Sequence, residues 1–570
     1  MSLRSKRWHI SPSLPAAEAA RFQYFHPVVA SILYNRGYTD PTSAKAFLAG
    51  ESPLGDPFKM RGMAQAVSRI RTAIKKQELI VVYGDFDADG VTSTTLLVTV
   101  LQALGANVKP YIPHRVDEGY GLNVQALEKL ARRGVKLVIT VDCGIRSLAE
   151  VEAGKACGLD IIITDHHSVG PEVPNALAVI NPKQAGCNYP EKMLAGVGIA
   201  FKLADALIKA TMQQERRDAP ISTETLLDLV AIGTVADLAP LSHAENRALV
   251  IQGLRQLQQA KRPGIRALLE VAGVPPDRVT ATSIGFAIGP RINAAGRLES
   301  AMLAYDLLST NDLQIATERA QELQKLNAKR QDLTREAQNY ARTLAGIDGA
   351  DVPLIFAADS VFQEGIVGLV AGRLTEEYYR PSIVLHRGEH ESHGSCRSIA
   401  EFNITEALDQ CADLLIRHGG HAQAAGFAIY NENLPVFHDK MLEIASRGLR
   451  DKDLRPSLQI DAELPLSRVD MTLNEALCTL EPCGQENTAP ILATRQLRIV
   501  DCRTVGKDNS HLKLRLSDGT LEHDAIAFRM GDLMKEMPRY VDIAYQIEAD
   551  EWNGTRRLQI KVQDLREAAP

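Results

Sequence analysis

Three aspartates lie within five residues in Asp85-Phe86-Asp87-Ala88-Asp89-Gly90, directly after an apolar run. Carboxylates crowded in this way repel one another unless cations lie between them. Further metal-competent side chains occur in Val141-Asp142-Cys143-Gly144, in Asp165-His166-His167 and at Asp237. Carboxylate oxygens with one or two imidazoles suit Mg²⁺ or Mn²⁺, and Mn²⁺ tolerates histidine better. These residues predict a site for two ions, which would activate water and stabilise in-line displacement at phosphorus.

Two simpler interpretations of the acidic run are open. The order D-x-D-x-D-G begins an EF-hand loop, but that loop needs glutamate at its twelfth position, where Leu96 stands. The following helix is also predicted to begin too early for an EF-hand, at Val91. Alternatively the aspartates cap a helix, with Asp89 as the expected cap. Capping accounts for one aspartate in a loop and leaves the others unexplained.

The acidic segments follow predicted strands in a repeated order of strand, loop and helix. The predicted strands are 79–83, 108–112, 135–141 and 159–164, and the predicted helices are 91–104, 123–133 and 147–157. This alternation predicts a parallel, doubly wound sheet, which binds ligands at the carboxyl ends of its strands. Asp85, Asp142 and Asp165 would then lie along one edge.

The remaining chain predicts three further parts. Residues 312–344 contain neither proline nor glycine and have apolar residues at helical spacing, which predicts one long helix. The α/β pattern resumes at 353, and short strands after 456 predict a small OB-like barrel. The predicted domains are a helical segment (1–75) packed on the first α/β domain (76–310), a connecting helix (311–348), a second α/β domain (349–450) and the barrel (455–570).

Composition narrows the class of protein. The 570 residues need several domains, and 45% of them are hydrophobic, as in ordinary globular proteins. The eight cysteines form no CxxC pair, which favours reduced thiols over a zinc site. Apolar runs fall short of a membrane span, so we expect a soluble cytoplasmic protein. The net charge of −6 neither indicates nor excludes a nucleic-acid partner, because a binding groove can be locally basic.

The ordered set of motifs resembles the DHH phosphoesterase superfamily. It consists of residues 85–90, 141–144, 165–167 and 234–237. Residues 419–426 resemble the glycine-rich motif of the associated DHHA1 domain. Residues 290–297, residues 394–398 and the barrel are similar to the members that degrade single-stranded DNA. The resemblance covers nearly the whole chain and implies two α/β domains, DHH and DHHA1, joined by the long helix around a cleft. It implies a 5′→3′ exonuclease that releases 5′-mononucleotides in DNA recombination and repair.

The resemblance also implies residue roles. The metal ligands it implies are Asp85, Asp87, Asp89, Asp142, His166 and Asp237. Asp87 and Asp89 would bind separate ions and Asp142 would bridge them, while His166 and Asp237 complete the second ion's shell. Asp85 and His167 would orient ligands or water. Many members have histidine where this chain has Tyr83, so water would replace that ligand here.

Catalytic and DNA-binding residues follow from the same resemblance. The implied catalytic residues are Asp142, His166, His167 and His421. Those implied to bind DNA or its 5′ phosphate are Arg115, Arg291, Arg297, Ser395, Arg397 and His421. The turn Gly196-Val197-Gly198 either binds phosphate through its N–H groups or serves helix packing.

Partners and rival functions can also be stated. We expect a monomer that acts on single-stranded DNA, with a single-strand-binding protein and a helicase as partners. One rival is a DHH-family phosphodiesterase for short oligonucleotides. The other is a non-catalytic DNA-binding scaffold of the replication machinery. The extra C-terminal domain argues against the first rival, and the intact set of acids argues against the second.

Overall fold

The structure is a computed structural model that describes residues 6–52, 54–115, 117–215, 218–347, 352–552 and 555–568. The chain forms two compact units. The core unit consists of Ser52–Leu454 and Gly484–Glu486; the barrel unit consists of Met1–Glu51, Arg455–Cys483 and Asn487–Pro570. No described helix combines the length and the apolar character needed to cross a membrane.

The first elements of the chain belong to the barrel unit. They are β1 (Arg7–Ile10), α1 (Ala16–Ala19), α2 (Pro27–Asn35) and α3 (Pro41–Ala49). Phe22, Ile32 and Phe47 share one apolar core with Leu497 and Tyr545 of the barrel. The prediction that residues 1–75 pack on the first α/β domain is therefore wrong for the first 51 residues. Apolar spacing shows that a helix has a buried face, but not which surface covers that face.

The first α/β domain is a five-stranded parallel sheet covered on both faces. Its elements are α4 (Met63–Lys75), β2 (Leu79–Gly84), α5 (Ala88–Ala103), β3 (Val108–Tyr111), α6 (Val124–Arg132), β4 (Val135–Val141), α7 (Leu148–Ala156), β5 (Asp160–Thr164) and β6 (Ala178–Ile180). The strand order is β3-β2-β4-β5-β6. Ile80 and Val82 face one apolar core, and Val81 and Tyr83 face the other. β3 lies on one side of β2 and β4 lies on the other, so the order in which strands are added switches at β2. A crevice is therefore expected between the carboxyl ends of β2 and β4.

The doubly wound sheet was predicted, apart from β6, whose three residues are too few to show a period. Helices then continue to the end of the long helix: α8 (Gly196–Glu215), α9 (Leu227–Ala236), α10 (Ala244–Gln259), α11 (Pro263–Ala272), α12 (Ala281–Ser283), the π-helical turn Ile284–Ile288, α13 (Gly289–Leu298), α14 (Met302–Ser309) and α15 (Leu313–Leu344). The predicted long helix is α15, and Asp312 caps it by accepting the N–H groups of Gln314 and Ile315. The predicted boundary at 348 and 349 lies outside the described residues.

The second α/β domain has a mixed sheet. Its elements are β7 (Ile355–Asp359), α16 (Glu364–Tyr378), β8 (Ser382–Arg387), β9 (Glu391–Arg397), α17 (Ile404–Asp409), β10 (Leu415–His421), β11 (Ala424–Tyr430) and α18 (Leu434–Leu449). The strand order is β10-β11-β9-β8-β7, and only β7 and β8 run parallel. The sequence analysis predicted β7, α16 and β8 and missed β9 to β11, because their glycines and histidines hide the alternation of a strand.

The last domain is the predicted barrel. Its elements are β12 (Ser457–Ile460), β13 (Ala462–Glu463), α19 (Met471–Cys478), β14 (Leu492–Val505), β15 (His511–Ser517), β16 (Glu522–Ala527), β17 (Tyr540–Trp552) and β18 (Thr555–Glu567). Pairing of β14 with both β15 and β17 closes five strands into a barrel. β1 pairs in parallel with β12, which ties the start of the chain to this unit.

Candidate active site

The predicted metal ligands meet at the carboxyl ends of β2, β4 and β5 and at the end of α9. The ligand atoms form three groups, and the atoms of each group all lie within 4.8 Å of one another. The groups are Asp85, Asp87 and Asp142; Asp89, His166 and Asp237; and Asp142, His166 and His167. Asp142 belongs to two of these groups. His166 also belongs to two of them, so Asp142 and His166 link the three groups.

Asp142 is held in an unusual backbone conformation. Its φ is 62°, in the left-handed region, and its side chain is 2% exposed. Such a conformation in a residue other than glycine costs about 1–3 kcal/mol and is concentrated at functional sites. The start of α8 packs closely on it: a Cβ on Gly196 would lie 2.7 Å from the Cβ of Asp142. Only glycine lets α8 approach the carboxylate this closely.

Two of the acids also cap helices. Asp87 caps α5, since its Oδ1 accepts the N–H groups of Asp89 and Gly90 at 2.9 and 3.0 Å. The expected cap was Asp89. Instead, the Asp89 carboxylate accepts the N–H groups of Gly196 and Val197 at 2.7 and 2.8 Å. The positive end of α8 thus stabilises a carboxylate, and these two N–H groups are not available to a phosphate.

Several ligand atoms are buried and have no hydrogen-bond partner among the residues that the structure describes. They are Oδ1 of Asp85, Oδ1 of Asp142 and Nε2 of His166. His166 Nε2 lies 3.1 Å from Asp142 Oδ1 and 3.6 Å from Asp237 Oδ2. Buried polar atoms are rarely left without partners in folded proteins. A divalent cation would satisfy oxygen and nitrogen together, and this oxygen-rich set fits Mg²⁺ or Mn²⁺.

The acid cluster carries negative charge that the protein itself does not balance. Burial, followed by the charges of neighbouring aspartates, raises the pKa of Asp85 and Asp142 well above the usual range. The same causes raise the pKa of Asp89 to about 7 and that of Asp237 to about 9. Burial and the neighbouring His167 charge lower the pKa of His166 to about 3, so its imidazole is neutral and can bind metal.

Two residues next to the expected ligands position His167. Asp165 Oδ1 lies 2.7 Å from His167 Nδ1, and its Oδ2 accepts the N–H of Ile145 at 2.9 Å. Burial opposes protonation of His167, but the hydrogen bond with Asp165 raises its pKa. The hydroxyl of Tyr120 lies 3.3 Å from His167 Nδ1. The sequence analysis placed Asp165 at this edge without a separate role, and it missed Tyr120, which lies in a loop without a motif.

Tyr83 takes no part in the metal centre. It is buried in the apolar core that it shares with Val81, on the face of the sheet opposite to Ile80 and Val82, and its hydroxyl donates to the carbonyl of Gly121 at 3.1 Å.

Lys183 was missed by the sequence analysis. Burial lowers its pKa, while the charges of Asp237 and Asp165 raise it, so the ammonium group lies close to the acids.

The motif Pro290–Arg297 docks α13 onto the acidic loop. Asn293 Oδ1 accepts the N–H of Ala88 at 2.7 Å, which places α13 against the start of α5. Arg115 donates from Nε to the carbonyl of Gly296 at 3.1 Å. Its guanidinium also lies over the ring of Phe86, 3.8 Å from the centroid. Arg115 is therefore held between α13 and the acidic loop.

The other arginines of α13 reach neighbouring helices. Arg297 donates from Nη1 to the carbonyl of Gly365 on α16 at 3.1 Å. Arg291 donates from Nε to Gln324 Oε1 on α15 at 2.8 Å. Burial, followed by the charges of Arg115 and Arg330, lowers the pKa of Arg297 to about 9.

In the second α/β domain, one sheet face carries the predicted phosphate-binding residues. His421 pairs with Ala424, which pairs with Arg397, so the side chains of His421 and Arg397 lie on one face roughly 10 Å apart. Ser395 is two residues before Arg397 on β9 and shares that face. Arg397 donates from Nη1 to Ser395 Oγ at 3.2 Å. His421 is exposed.

All four predicted DNA-binding arginines lack a carboxylate ion-pair partner among the described residues. Within the described parts of the chain, Arg115, Arg291, Arg297 and Arg397 form no ion pair. Burial lowers the pKa of each of them. A group of partly buried guanidinium groups without acids is suited to phosphate, which accepts their paired N–H groups.

Three known domain families match the chain. The N-terminal domain of the DHH family matches residues 79–234, the DHHA1 domain matches residues 351–447, and the RecJ OB domain matches residues 460–564. These three segments coincide with the first α/β domain, the second α/β domain and the barrel.

Similar proteins and structures span nearly the whole chain. The single-stranded-DNA-specific exonuclease RecJ of Bacillus subtilis is 38% identical over 98% of this chain and 70% of its own length. That of Escherichia coli is 34% identical over 95% of this chain and 96% of its own length. A crystal structure of RecJ from Thermus thermophilus in complex with Mn²⁺ has a TM-score of 0.84 and 32% identity, and covers 99% of this chain and 80% of that one. A further crystal structure, of exonuclease RecJ bound to manganese, covers 69% of this chain and 98% of that one, with 36% identity and a TM-score of 0.59.

Proposed function

Because the chain belongs to the RecJ family of DHH phosphoesterases, we propose that its acid cluster and its unpaired arginines act together on one strand of DNA. The protein is a metal-dependent, single-stranded-DNA-specific 5′→3′ exonuclease of DNA recombination and repair, and Mg²⁺ or Mn²⁺ is its cofactor. The observation that carries this function is a set of three buried atoms, Asp85 Oδ1, Asp142 Oδ1 and His166 Nε2, for which the described part of the chain offers no hydrogen-bond partner. Arg115 lies beside these acids and interacts with the charge of Asp85.

The residue roles at the metal centre are part of the proposal. When bound, the two ions activate water for attack on phosphorus and neutralise the charge that develops on the phosphate oxygens. Asp142 lies between the ions, and Asp85 and Asp87 complete the shell of one of them. Asp89, His166 and Asp237 surround the other; their proximity supports this assignment. His167, held by Asp165, orients water or the phosphate.

The strand is gripped from both α/β domains. Arg115, Ser395 and Arg397 bind the 5′ end, supported by the absence of carboxylate partners for both arginines within the described residues. His421 stabilises charge at the scissile phosphate. Arg291 and Arg297 contact the backbone beyond it. Attack of water on phosphorus would break the bond to the 3′ oxygen and release a 5′-mononucleotide, and the strand would advance into the cleft between the two α/β domains.

The domains and partners complete the proposal. The DHH domain (76–310) cleaves, the connecting helix (311–348) and the DHHA1 domain (349–450) form the cleft, and the barrel (455–570) holds the following strand. We place the monomeric enzyme in the cytoplasm, which suits its eight free cysteines. A helicase would supply single strands, and a single-strand-binding protein would keep them open.

The function is tested with single strands labelled at either end, in Mn²⁺ and in EDTA. We expect mononucleotides to appear from the 5′ end in Mn²⁺ only, with duplex DNA resistant. Cleavage confined to dinucleotides would favour the short-oligonucleotide rival. Retention of DNA without cleavage in Mn²⁺ would favour the scaffold.

The 5′-end pocket has its own test. Arg397→Ala should lower the preference for 5′-phosphorylated over 5′-hydroxyl strands by about tenfold, because a bidentate guanidinium contact is lost. The ratio of kcat/KM for the two strands measures this. Arg387→Ala, on the exposed end of β8, is the control. An unchanged ratio for Arg397→Ala would remove Arg397 from the pocket.

A further inference from the structure

Arg330 on α15 extends the group of arginines beyond those predicted from the sequence. α15 packs against α13, which carries Arg291 and Arg297, and against α16, which carries Arg373. The Nε of Arg330 is buried and has no hydrogen-bond partner among the described residues. The side chain thus points a donor into the interior, where no acceptor of the described protein meets it.

The surroundings of Arg330 are cationic. Burial, followed by the positive charges of Arg373 and Arg291, lowers its pKa. Arg330 in turn interacts with Arg297, which interacts with Arg115 and Arg397. The positive charges therefore continue from the predicted 5′-end pocket to α15. Neighbouring like charges that are partly out of water cost free energy, and a bound anion would offset that cost.

We propose that Arg330, together with Arg291 and Arg373, binds a backbone phosphate of the single strand on the 3′ side of the scissile bond. The site rests on the proposed function, because the 5′-terminal and scissile phosphates are assigned to other residues there. A 5′-phosphorylated dinucleotide contains only those two phosphates. The dinucleotide therefore has no phosphate that Arg330 could bind, whereas a long strand has one.

The difference between the two substrates gives the test. Arg330→Gln should raise the KM for a 30-nucleotide strand by about tenfold with little change in kcat, because a charge-assisted phosphate contact is lost. The slope of log affinity against log salt should fall by about 0.7, the value for one phosphate contact on a single strand. The affinity for the 5′-phosphorylated dinucleotide should stay the same.

Two further variants serve as controls for Arg330→Gln. Lys329→Gln removes the same charge from the neighbouring, exposed position of α15 and should change neither the KM nor the salt slope. Arg330→Lys keeps a charge and should recover part of the affinity. The melting temperature of Arg330→Gln without DNA should equal or exceed that of the wild type, because a repelled cation is removed.

Several results would overturn the inference. One is an Arg330→Gln protein that degrades the long strand as the wild type does, with the same salt slope. Another is an equal loss of affinity for the dinucleotide, which would assign Arg330 to the catalytic end. If the wild type itself fails to degrade single strands, the proposed function fails, and that result is distinct from both.

Discussion

Asp142 combines a φ of 62°, a side chain that is 2% exposed, and an Oδ1 that lies 3.1 Å from His166 Nε2. Burial, followed by the charges of the neighbouring carboxylates, raises its pKa, and the start of α8 packs closely on it. Each of these features costs free energy in the protein alone. A divalent cation would offset them together, since it attracts the carboxylates and supplies the missing partner.

The first prediction concerns this residue. Asp142→Asn should lower cleavage in Mn²⁺ by more than about 10²-fold, because the central charge between the ions is lost. Binding of single-stranded DNA should change less than threefold, since the arginines are intact. Glu150→Gln on α7 is a matched control. Substantial cleavage by Asp142→Asn would exclude the bridging role.

The second prediction links metal binding to pH. Burial and neighbouring charge raise the pKa of Asp89 to about 7 and of Asp237 to about 9, above their values in the unfolded chain. The folded protein without metal therefore binds more protons than the unfolded chain between pH 4 and 9, and its stability falls as pH rises through this window. Mn²⁺ should raise the melting temperature more at pH 8 than at pH 5.

Thermal unfolding in EDTA and in Mn²⁺ across that pH range measures the effect. Asp237→Asn removes one of the titrating groups of the cluster and should weaken the pH dependence in EDTA. A Mn²⁺-induced shift that is equal at pH 5 and pH 8 would contradict the prediction.

At the scale of elements, α16 is the contact between the two α/β domains. Its first turn lies against α13, where Arg297 donates to the carbonyl of Gly365. A Cβ on Gly365 would lie 2.1 Å from the carbonyl oxygen of Arg297, so only glycine permits this approach. Further along α16, Gly372 lies beside Arg397. A Cβ added to Gly372 would lie 3.9 Å from the nearest atom, which belongs to Arg397. One helix therefore positions arginines from both domains.

The third prediction compares these two glycines. Gly365→Ala should destabilise the protein by about 1–3 kcal/mol, since backbone must move to relieve the overlap. Gly372→Ala adds a methyl group at ordinary contact distance in a helix interior and should stabilise it by about 0.5–1 kcal/mol. Urea unfolding measures both. Equal effects of the two substitutions would mean that the close approach of α13 and α16 is not needed.

At the scale of the molecule, the first and last parts of the chain fold together. β1 pairs with β12, and residues of α2 and α3 complete the apolar core of the barrel. The core unit, which contains the acid cluster and all the arginines discussed, has its own apolar cores.

The fourth prediction follows from this division. A protein of residues 52–454 should be soluble and should retain Mn²⁺-dependent cleavage, with at least about tenfold weaker binding of long strands because the barrel is absent. A protein of residues 1–454 should aggregate, since Phe22, Ile32 and Phe47 lose the surface that covers them. Size-exclusion chromatography of the two proteins decides. Equal solubility would show that the N-terminal helices do not depend on the barrel.

The sequence alone determined the local elements and the chemistry of the acids. The strand 135–141 and the long helix that follows Asp312 were predicted to within a residue, because the strand is a short, almost continuous apolar run and the helix keeps its apolar spacing over many residues. The parallel sheet followed from the order of elements, and it placed Asp85, Asp142 and Asp165 at one edge.

Only the tertiary structure decided which surfaces meet. It moved the first 51 residues from the α/β domain to the barrel, and it turned Tyr83 away from the metal centre. It added Tyr120, Lys183 and Arg330, which stand in no motif and become neighbours of the site through the packing of distant elements. Periodicity is a property of neighbours along the chain, whereas charge and burial at a site depend on residues that are close only in space.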